Sequence, residues 1–194
     1  MPDPVPKTLA CGATIYYMGL PLEMGPLPTF IYFSLSGPES LSLHPYNQPA
    51  TFLEDDALRV MSISLPFHDD YDRRQVMRIW ANEIRDGNDF ITPFVELAAQ
   101  AIDELIECEV IDPEYLTVGG LSRGSFIASH LAAREPRIKA LVGFAPLTKL
   151  NVSTSFKELH ETPIIQKLNL DFVKEALVKR AIRFSFLPLH FPIR

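Results

Sequence analysis

The chain alternates two hydrophobic patterns along its length. Short continuous apolar runs are typical of strands buried on both faces of a parallel sheet, whereas apolar residues that recur at helical spacing predict amphipathic helices. Buried strands that alternate with such helices predict an α/β fold, with a mostly parallel sheet and helices on both faces. The predicted strands cover residues 13–18, 29–34, 58–65, 115–119, 138–145 and 181–186, and the predicted helices cover residues 71–86, 93–108, 125–133 and 171–177.

Three segments refine this pattern. Thr92 followed by Pro93 predicts the start of the second helix, with the threonine as its cap and the proline in the first helical position. Residues 35–56 are expected to form a long connection with some helix, and residues 148–178 a polar, cap-like segment. We therefore expect residues 1–194 to form a single domain.

The composition excludes several classes of protein. A net charge of −6 at pH 7 argues against nucleic acid as a partner. No apolar run approaches the roughly 20 residues that cross a bilayer, and the first residues lack the pattern of a signal peptide, so we expect no membrane partner. The two cysteines, Cys11 and Cys108, provide neither a disulfide framework nor a zinc-binding spacing. These features predict a cytoplasmic protein without a metal or a cofactor.

The most specific motif is Gly-Leu-Ser-Arg-Gly at residues 120–124. It follows a predicted strand and precedes a predicted helix, which is the arrangement of a nucleophile elbow. Because the turn is sharp, small residues such as Gly120 and Gly124 are needed where the strand and the helix approach each other. Ser122 would then present its hydroxyl at the carboxyl edge of the sheet, beside the positive end of the following helix. The motif predicts Ser122 as a nucleophile.

On these residues the chain resembles the α/β-hydrolase family, most closely its prolyl oligopeptidase-like and dienelactone hydrolase-like branches. The resemblance rests on residues 111–125 (Ile-Asp-Pro-Glu-Tyr-Leu-Thr-Val-Gly-Gly-Leu-Ser-Arg-Gly-Ser) and on residues 142–147 (Val-Gly-Phe-Ala-Pro-Leu). It implies hydrolysis of an ester, thioester or peptide bond in a small-molecule or peptide substrate. It also implies an oxyanion hole that combines the backbone N–H of Arg123 with that of Leu35 or Ser36.

A serine nucleophile also needs a histidine to accept its proton and an acid to orient that histidine. The resemblance implies the chain order serine, acid, histidine, and the positions expected for the acid, after residues 138–145 and after residues 181–186, hold none. His190 follows the last predicted strand too closely to be the base, and His130 lies more than two turns along the helix after Ser122. The remaining histidines are expected on loops or in the polar segment: His44, His68 and His160.

Two further expectations concern the edge of the predicted site. His68, with Asp69 and Asp70, follows a strand and is expected to border the cleft rather than to bind a metal, because adjacent residues do not converge on one ion. Residues 184–194 are unusually apolar and rich in proline, which is typical of a truncated or frame-shifted product that lacks a last strand and a histidine loop. An uncovered sheet edge of this kind would favour self-association.

The sequence therefore predicts a serine hydrolase scaffold with weak or absent turnover. Two alternatives stay open at this point. One is a non-catalytic binding or interaction module built on a hydrolase fold, and the other is a hydrolase fragment that does not fold stably.

Overall fold

One sheet organises the chain. The computed structural model describes residues 3–147, 162–168 and 183–187, together with Leu150, Phe156, Leu159 and Leu177. In this part of the chain the strands are β1 (Val5–Thr8), β2 (Thr14–Gly19), β3 (Leu27–Phe33), β4 (Arg59–Ile63), β5 (Ile111–Leu121), β6 (Ala140–Phe144) and β7 (Arg183–Leu187). They form a seven-stranded sheet in the order β1-β2-β4-β3-β5-β6-β7.

The sheet is mostly parallel, as the sequence predicts. The strands β4, β3, β5, β6 and β7 run parallel, whereas β2 pairs antiparallel with β1 and with β4. The strand β1 was not predicted, because its four residues are all exposed and show no apolar pattern. Pro6 is tolerated there because β1 is an edge strand, where a missing N–H breaks no ladder. The strand β5 begins at Ile111, earlier than predicted, so Asp112 and Pro113 lie within it.

The described helices are α1 (Gly37–Ser42), α2 (Gln48–Phe52), α3 (Val76–Arg85), α4 (Ile91–Glu107), α5 (Arg123–Arg134) and α6 (Pro163–Lys167), with a 3₁₀ helix at Leu22–Met24. The helix α3 begins five residues later than predicted. The helix predicted at 171–177 lies outside the described residues except for Leu177, and of the cap-like segment 148–178 the structure describes mainly α6.

The predicted cap of α4 is wrong. The helix begins at Ile91, so Pro93 is its third residue rather than its first. The N-cap position is Phe90, whose side chain forms no capping bond, and the residue before it, Asp89, accepts the backbone N–H of Thr92 at 3.0 Å and the Thr92 hydroxyl at 2.8 Å. An aspartate in this position satisfies a free N–H of the first turn and favours the positive end of the helix.

Helices cover both faces of the sheet, and alternate residues of each strand pack against them. Ile31 and Phe33 of β3 belong to the larger core, which is shared with α3, α4 and α5. Phe30 and Tyr32, which point the other way, belong to a smaller core with residues of α1 and α2. The predicted helices on both faces are thus confirmed.

A buried arginine joins the amino ends of several strands. Arg59, the first residue of β4, is fully buried, and burial lowers its pKa. Its guanidinium donates hydrogen bonds to five backbone carbonyls, including those of Leu20 and Gly25 at 3.0 Å each. The other acceptors are the carbonyls of Pro21, Leu22 and Val110. The cation therefore satisfies backbone acceptors of the β2–β3 connection and of the residue just before β5, which would otherwise lack partners.

We expect Arg59→Met to lower the free energy of unfolding by about 3 kcal/mol or more, because it removes these charged hydrogen bonds while leaving buried carbonyls unpaired. Urea denaturation of both proteins measures the difference. Arg78→Met, at an exposed position of α3, is the matched control and should change stability by less than about 0.5 kcal/mol. Equal losses in the two variants would contradict the role assigned to Arg59.

Candidate active site

Ser122 lies in a strained turn between β5 and α5. Its backbone angles are φ 54° and ψ −114°, a conformation that non-glycine residues rarely adopt. Ser122 is exposed to solvent, although the residues around it in β5 and α5 are largely buried. The turn therefore holds this serine at the carboxyl end of the strand, where ligands bind in open α/β sheets.

The two flanking glycines are required by direct backbone contacts. A Cβ at Gly124 would lie 2.0 Å from the carbonyl oxygen of Phe33, at the end of β3. A Cβ at Gly120 would lie 2.2 Å from the carbonyl carbon of Gly124. Both distances are far below any possible contact, and the obstructing atoms are backbone atoms that cannot rotate away. Small residues at these two positions therefore let α5 start directly against the ends of β3 and β5.

Backbone hydrogen bonds hold the turn in place. The N–H of Ser122 donates to the carbonyl of Phe144 in β6 at 2.9 Å, and its carbonyl accepts the N–H of Leu147 at 3.1 Å. Strain is concentrated at the same end of the sheet, because Phe67 after β4 and Ala145 after β6 also have positive φ. Conformations of this kind persist only where the surrounding structure enforces them, and they cluster at functional sites.

The turn after β3 lies next to Ser122 because β3 and β5 are neighbours, with Phe33 paired to Gly120. Ser40 fixes this turn: its hydroxyl oxygen accepts the N–H groups of Ser34 at 3.1 Å and of Leu35 at 2.9 Å. Ser36 is the cap of α1, and within the described residues its own N–H has no acceptor. The N–H of Leu35 therefore already donates a hydrogen bond, whereas the N–H of Ser36 has no acceptor among the described residues.

Arg123 is the first residue of α5, and its N–H is one of the groups at a helix start that have no partner inside the helix. Its side chain is partly buried and extends toward the loop after β4, where Nη2 donates to the carbonyl of Arg73 at 3.4 Å. The Nη1 atom is buried and has no hydrogen-bond partner among the described residues. Burial lowers the pKa of this guanidinium.

None of the described histidines hydrogen-bonds to the Ser122 hydroxyl. His44 is exposed between α1 and α2, and His130 packs its ring against Phe126 within α5, with ring centroids 4.7 Å apart. His68 is buried after β4, where its Nδ1 lies 3.0 Å from the carbonyl oxygen of Pro66. The other two candidates, His160 and His190, lie outside the described residues.

The described acidic residues near the strand ends have other partners. Asp69 accepts a hydrogen bond from the Ser64 hydroxyl at 2.7 Å, and Ser64 in turn accepts the N–H of Gly37 at 2.8 Å. This chain of bonds ties the loop after β4 to the start of α1. Across the described ranges, no three histidine, cysteine, aspartate or glutamate side chains converge as metal ligands, His68, Asp69 and Asp70 included.

Two cavities adjoin this end of the sheet, and sequence reasoning identified neither. A polar cavity of about 460 Å³ is lined by residues of the β3 and β4 loops, among them Ser36, Glu39 and His68. An apolar groove of about 650 Å³ lies on the other side, where Leu121 and Phe144 form part of its wall. Their lining residues come from segments far apart in the chain, so no local pattern indicates either cavity.

Taken with the strand order and the position of Ser122, these features define the class: the chain has the α/β-hydrolase fold. A puromycin-hydrolyzing peptidase of Mycobacterium tuberculosis matches 96% of the chain with a TM-score of 0.59 and 14% identity. The acylaminoacyl peptidase of Pyrococcus horikoshii matches 98% of it with a TM-score of 0.58 and 11% identity. A dienelactone hydrolase-like promiscuous phosphotriesterase from metagenomic libraries matches 97% with a TM-score of 0.57 and 16% identity.

These similarities are similarities of fold. The chain spans 36% and 38% of the length of the two peptidases and 82% of the phosphotriesterase. No family model matches the sequence, and no curated protein matches it. None of the helices in the described ranges is both long enough and apolar enough to cross a membrane.

We expect Gly124→Ala to destabilise the protein by about 3 kcal/mol or more, because the new methyl group would overlap the Phe33 carbonyl. Thermal or urea denaturation measures the loss. Gly87→Ala is the control: its φ is also positive, at 88°, but the added Cβ meets no atom within 4 Å. It should cost only about 1–2 kcal/mol of backbone strain. Similar losses for both variants would argue against the steric explanation.

Acid should destabilise the fold between pH 6.5 and pH 4. Burial lowers the pKa of His68 and of His130 to about 4, below the value of about 6.5 in the unfolded chain. The unfolded chain therefore binds more protons in this range, and the free energy of unfolding falls as the pH falls, by about 1–2 kcal/mol per ring at pH 5.

The difference in stability between pH 7 and pH 5 tests this dependence. It should shrink in His130→Gln, and it should stay unchanged in His44→Gln, which removes an exposed histidine. An unaltered difference in the His130 variant would show that the buried ring does not contribute.

Proposed function

We propose that the chain is a serine hydrolase scaffold for an ester, thioester or peptide bond, with Ser122 as the nucleophile. The observation that carries this proposal is the strained turn at Ser122, which leaves the serine exposed at the carboxyl end of β5. The glycines on both sides are required because a Cβ at either position would overlap backbone atoms. A strained, closely packed turn lowers the stability of the fold, and such turns are retained at functional sites, here to present a hydroxyl group.

In the proposed reaction, Ser122 Oγ attacks the carbonyl carbon of the substrate and its proton passes to a base. The bond from that carbon to the leaving group then breaks, leaving an acyl group on the serine. The negative charge on the carbonyl oxygen would be stabilised by two backbone N–H donors. We assign the two donors to the backbone N–H groups of Arg123 and Ser36. Leu35 is no longer a candidate donor, because its N–H already donates to the Ser40 hydroxyl oxygen.

The helix α5 supports the same role. Its first N–H groups face the turn without partners inside the helix, and its dipole places partial positive charge beside Ser122. The described residues place no histidine on the serine hydroxyl, so we propose that acylation is slow. An oxyanion hole and substrate binding alone can retain part of the rate enhancement. Two of the structural neighbours are named as peptidases and one as a phosphotriesterase, so acyl and phosphoryl electrophiles are suitable probes for this proposal.

A fluorophosphonate probe tests the nucleophile. We expect slow, stoichiometric labelling of the wild-type protein, mapped by mass spectrometry to Ser122 and abolished in Ser122→Ala. Ser42→Ala, at an exposed serine of α1, is the control and should label like the wild type.

Three results would contradict parts of the proposal. Labelling that survives in Ser122→Ala would exclude this serine as the nucleophile. Labelling as fast as that of an intact serine hydrolase would show that a base is in place. A folded protein with no labelling at all would favour the alternative, a non-catalytic binding module.

A further inference from the structure

The turn after β3 leaves one backbone N–H without an acceptor, although the N–H groups on both sides of it are bonded. The two residues before Ser36, Ser34 and Leu35, both donate their N–H groups to Ser40 Oγ, at 3.1 Å and 2.9 Å. The residue after it, Gly37, donates its N–H to a serine hydroxyl of the loop after β4 at 2.8 Å. The N–H of Ser36 has no acceptor among the described residues, so it is the donor of this turn that is left for a substrate oxygen.

The direction of the Ser36 N–H follows from the peptide bond that joins this residue to Leu35. The bond is trans, so the Leu35 carbonyl and the Ser36 N–H point in opposite directions. The Leu35 carbonyl accepts the N–H of Leu65, which lies just after β4, at 3.0 Å. Because β4 and β5 pair with opposite edges of β3, the Ser36 N–H is directed away from β4, toward the side on which β5 and Ser122 lie.

The same turn is in direct contact with the start of α5. A Cβ placed at Gly124 would lie 3.1 Å from the backbone nitrogen of Ser34. The β3 turn therefore contacts the first turn of α5, which holds the Arg123 N–H. The side chain of Ser36 is turned back onto α1, where its hydroxyl donates to a carboxylate oxygen of Glu39 at 3.0 Å. The two proposed oxyanion donors thus belong to the backbones of two segments that touch each other.

Two serines hold this turn, and each is supported differently. Ser40 is fully buried in α1, and the two residues that donate to its hydroxyl are buried as well. If that hydroxyl were removed, both N–H groups would lose their acceptor. Ser64 donates its own proton to Asp69 at 2.7 Å, which leaves its lone pairs to accept the N–H of Gly37. A charged acceptor at the end of such a chain strengthens the hydrogen bonds along it.

We propose that Ser40 and Ser64 are positioning residues of the oxyanion hole, which hold the neighbouring N–H groups so that the N–H of Ser36 alone is presented to the carbonyl oxygen of the substrate. This inference rests on the proposed hydrolase function. Both serines act through the backbone of residues 34–37 rather than by contact with the substrate. Loss of either hydroxyl releases one side of the turn, and the peptide plane that carries the Ser36 N–H is then free to rotate. Donors that are fixed before the reaction need no reorganisation during it.

Two acyl donors that differ in one atom test this role. p-Nitrophenyl acetate has a carbonyl oxygen, and O-p-nitrophenyl thionoacetate has a sulfur in its place. In both reactions Ser122 Oγ forms a bond to the acyl carbon, p-nitrophenolate leaves with the electron pair of the broken bond, and the hydroxyl proton is released to solvent. Sulfur accepts hydrogen bonds weakly, so an oxyanion hole accelerates acylation by the ester more than by the thionoester. Mass spectrometry of the intact protein gives both rates, and their ratio is divided by the same ratio for hydroxide attack in solution.

We expect this normalised ratio to exceed one in the wild-type protein and to fall toward one in Ser40→Ala. The ester rate should fall by about tenfold to a hundredfold, somewhat less than the loss of about 10²–10³-fold that follows removal of a whole oxyanion donor. The thionoester rate should change much less. Ser129→Ala is the matched control, because Ser129 is also buried and its hydroxyl donates only within α5, to the Ser125 carbonyl at 2.8 Å. It should leave the ratio unchanged.

Ser64 provides a second pair of variants, which keeps the test decisive if Ser40→Ala does not fold, because Ser64 is only partly buried. Ser64→Ala should lower the ratio, whereas Ser64→Thr keeps the hydroxyl and should retain most of it. Amide hydrogen exchange follows the same bonds without any turnover. The N–H of Leu35 should exchange faster in Ser40→Ala than in the wild type, and the N–H of Gly37 should exchange faster in Ser64→Ala.

The outcomes separate this inference from the proposed function. A wild-type protein that is acylated, with a ratio that stays unchanged in both alanine variants, would overturn the positioning role alone. Equal losses with the ester and the thionoester would overturn it too, because general structural damage would then explain them. No acylation of the wild-type protein by either compound would overturn the hydrolase function itself, whatever the exchange rates of the turn.

Discussion

The contact between the start of α5 and the end of β3 is the constraint on which the site depends. At Gly124 the helix backbone lies so close to the Phe33 carbonyl that no side chain fits between them. This closeness forces the chain to reverse within one residue, which gives Ser122 its positive φ and leaves its hydroxyl outside the packed interior. It also brings the first N–H groups of α5 next to the turn after β3. One steric contact thus sets the position of the serine, the direction of the helix dipole and the neighbourhood of Ser36.

The site is assembled from loops that are fastened to each other before any ligand binds. Ser40 holds the turn after β3, and Ser64 connects Gly37 with Asp69 across the loops after β3 and β4. Four hydrogen bonds centred on Ser40 and Ser64 therefore fix the geometry around Ser36, and only one of them ends on a carboxylate, that of Asp69. The turn that presents the Ser36 N–H is therefore preorganised, as the proposed oxyanion donor requires.

Much of this architecture could be predicted from the sequence, for physical reasons that differ between elements. The run at 29–34 and the run before Ser122 are apolar on both sides, as strands covered by helices on both faces must be, and the positions of Gly120 and Gly124 follow from the sharpness of the turn.

β1 could not be predicted, because an exposed edge strand is held by backbone pairing and has no pattern of its own. The start of α4 was predicted too late because threonine followed by proline is a typical helix start, whereas the helix begins at Ile91 and Thr92 donates its N–H to Asp89 within the first turn. The hydrogen bonds from Gly37 to Ser64 and from Ser64 to Asp69 join the loops after two different strands, and no local pattern encodes such contacts. The functional roles of the site residues themselves stay predictions.

Arg59 has a consequence for how the fold assembles. Its acceptors lie in two segments that are distant in sequence, residues 20–25 and Val110, so the guanidinium is satisfied only when both have reached their final places. An intermediate with the amino-terminal strands formed but β5 undocked would hold a desolvated cation short of acceptors, which is unfavourable. The strand that leads to Ser122 and the antiparallel strands at the far edge of the sheet are thereby coupled into one cooperative folding unit. Hydrogen exchange in the β2–β3 connection would accordingly report the same opening event as exchange in β5.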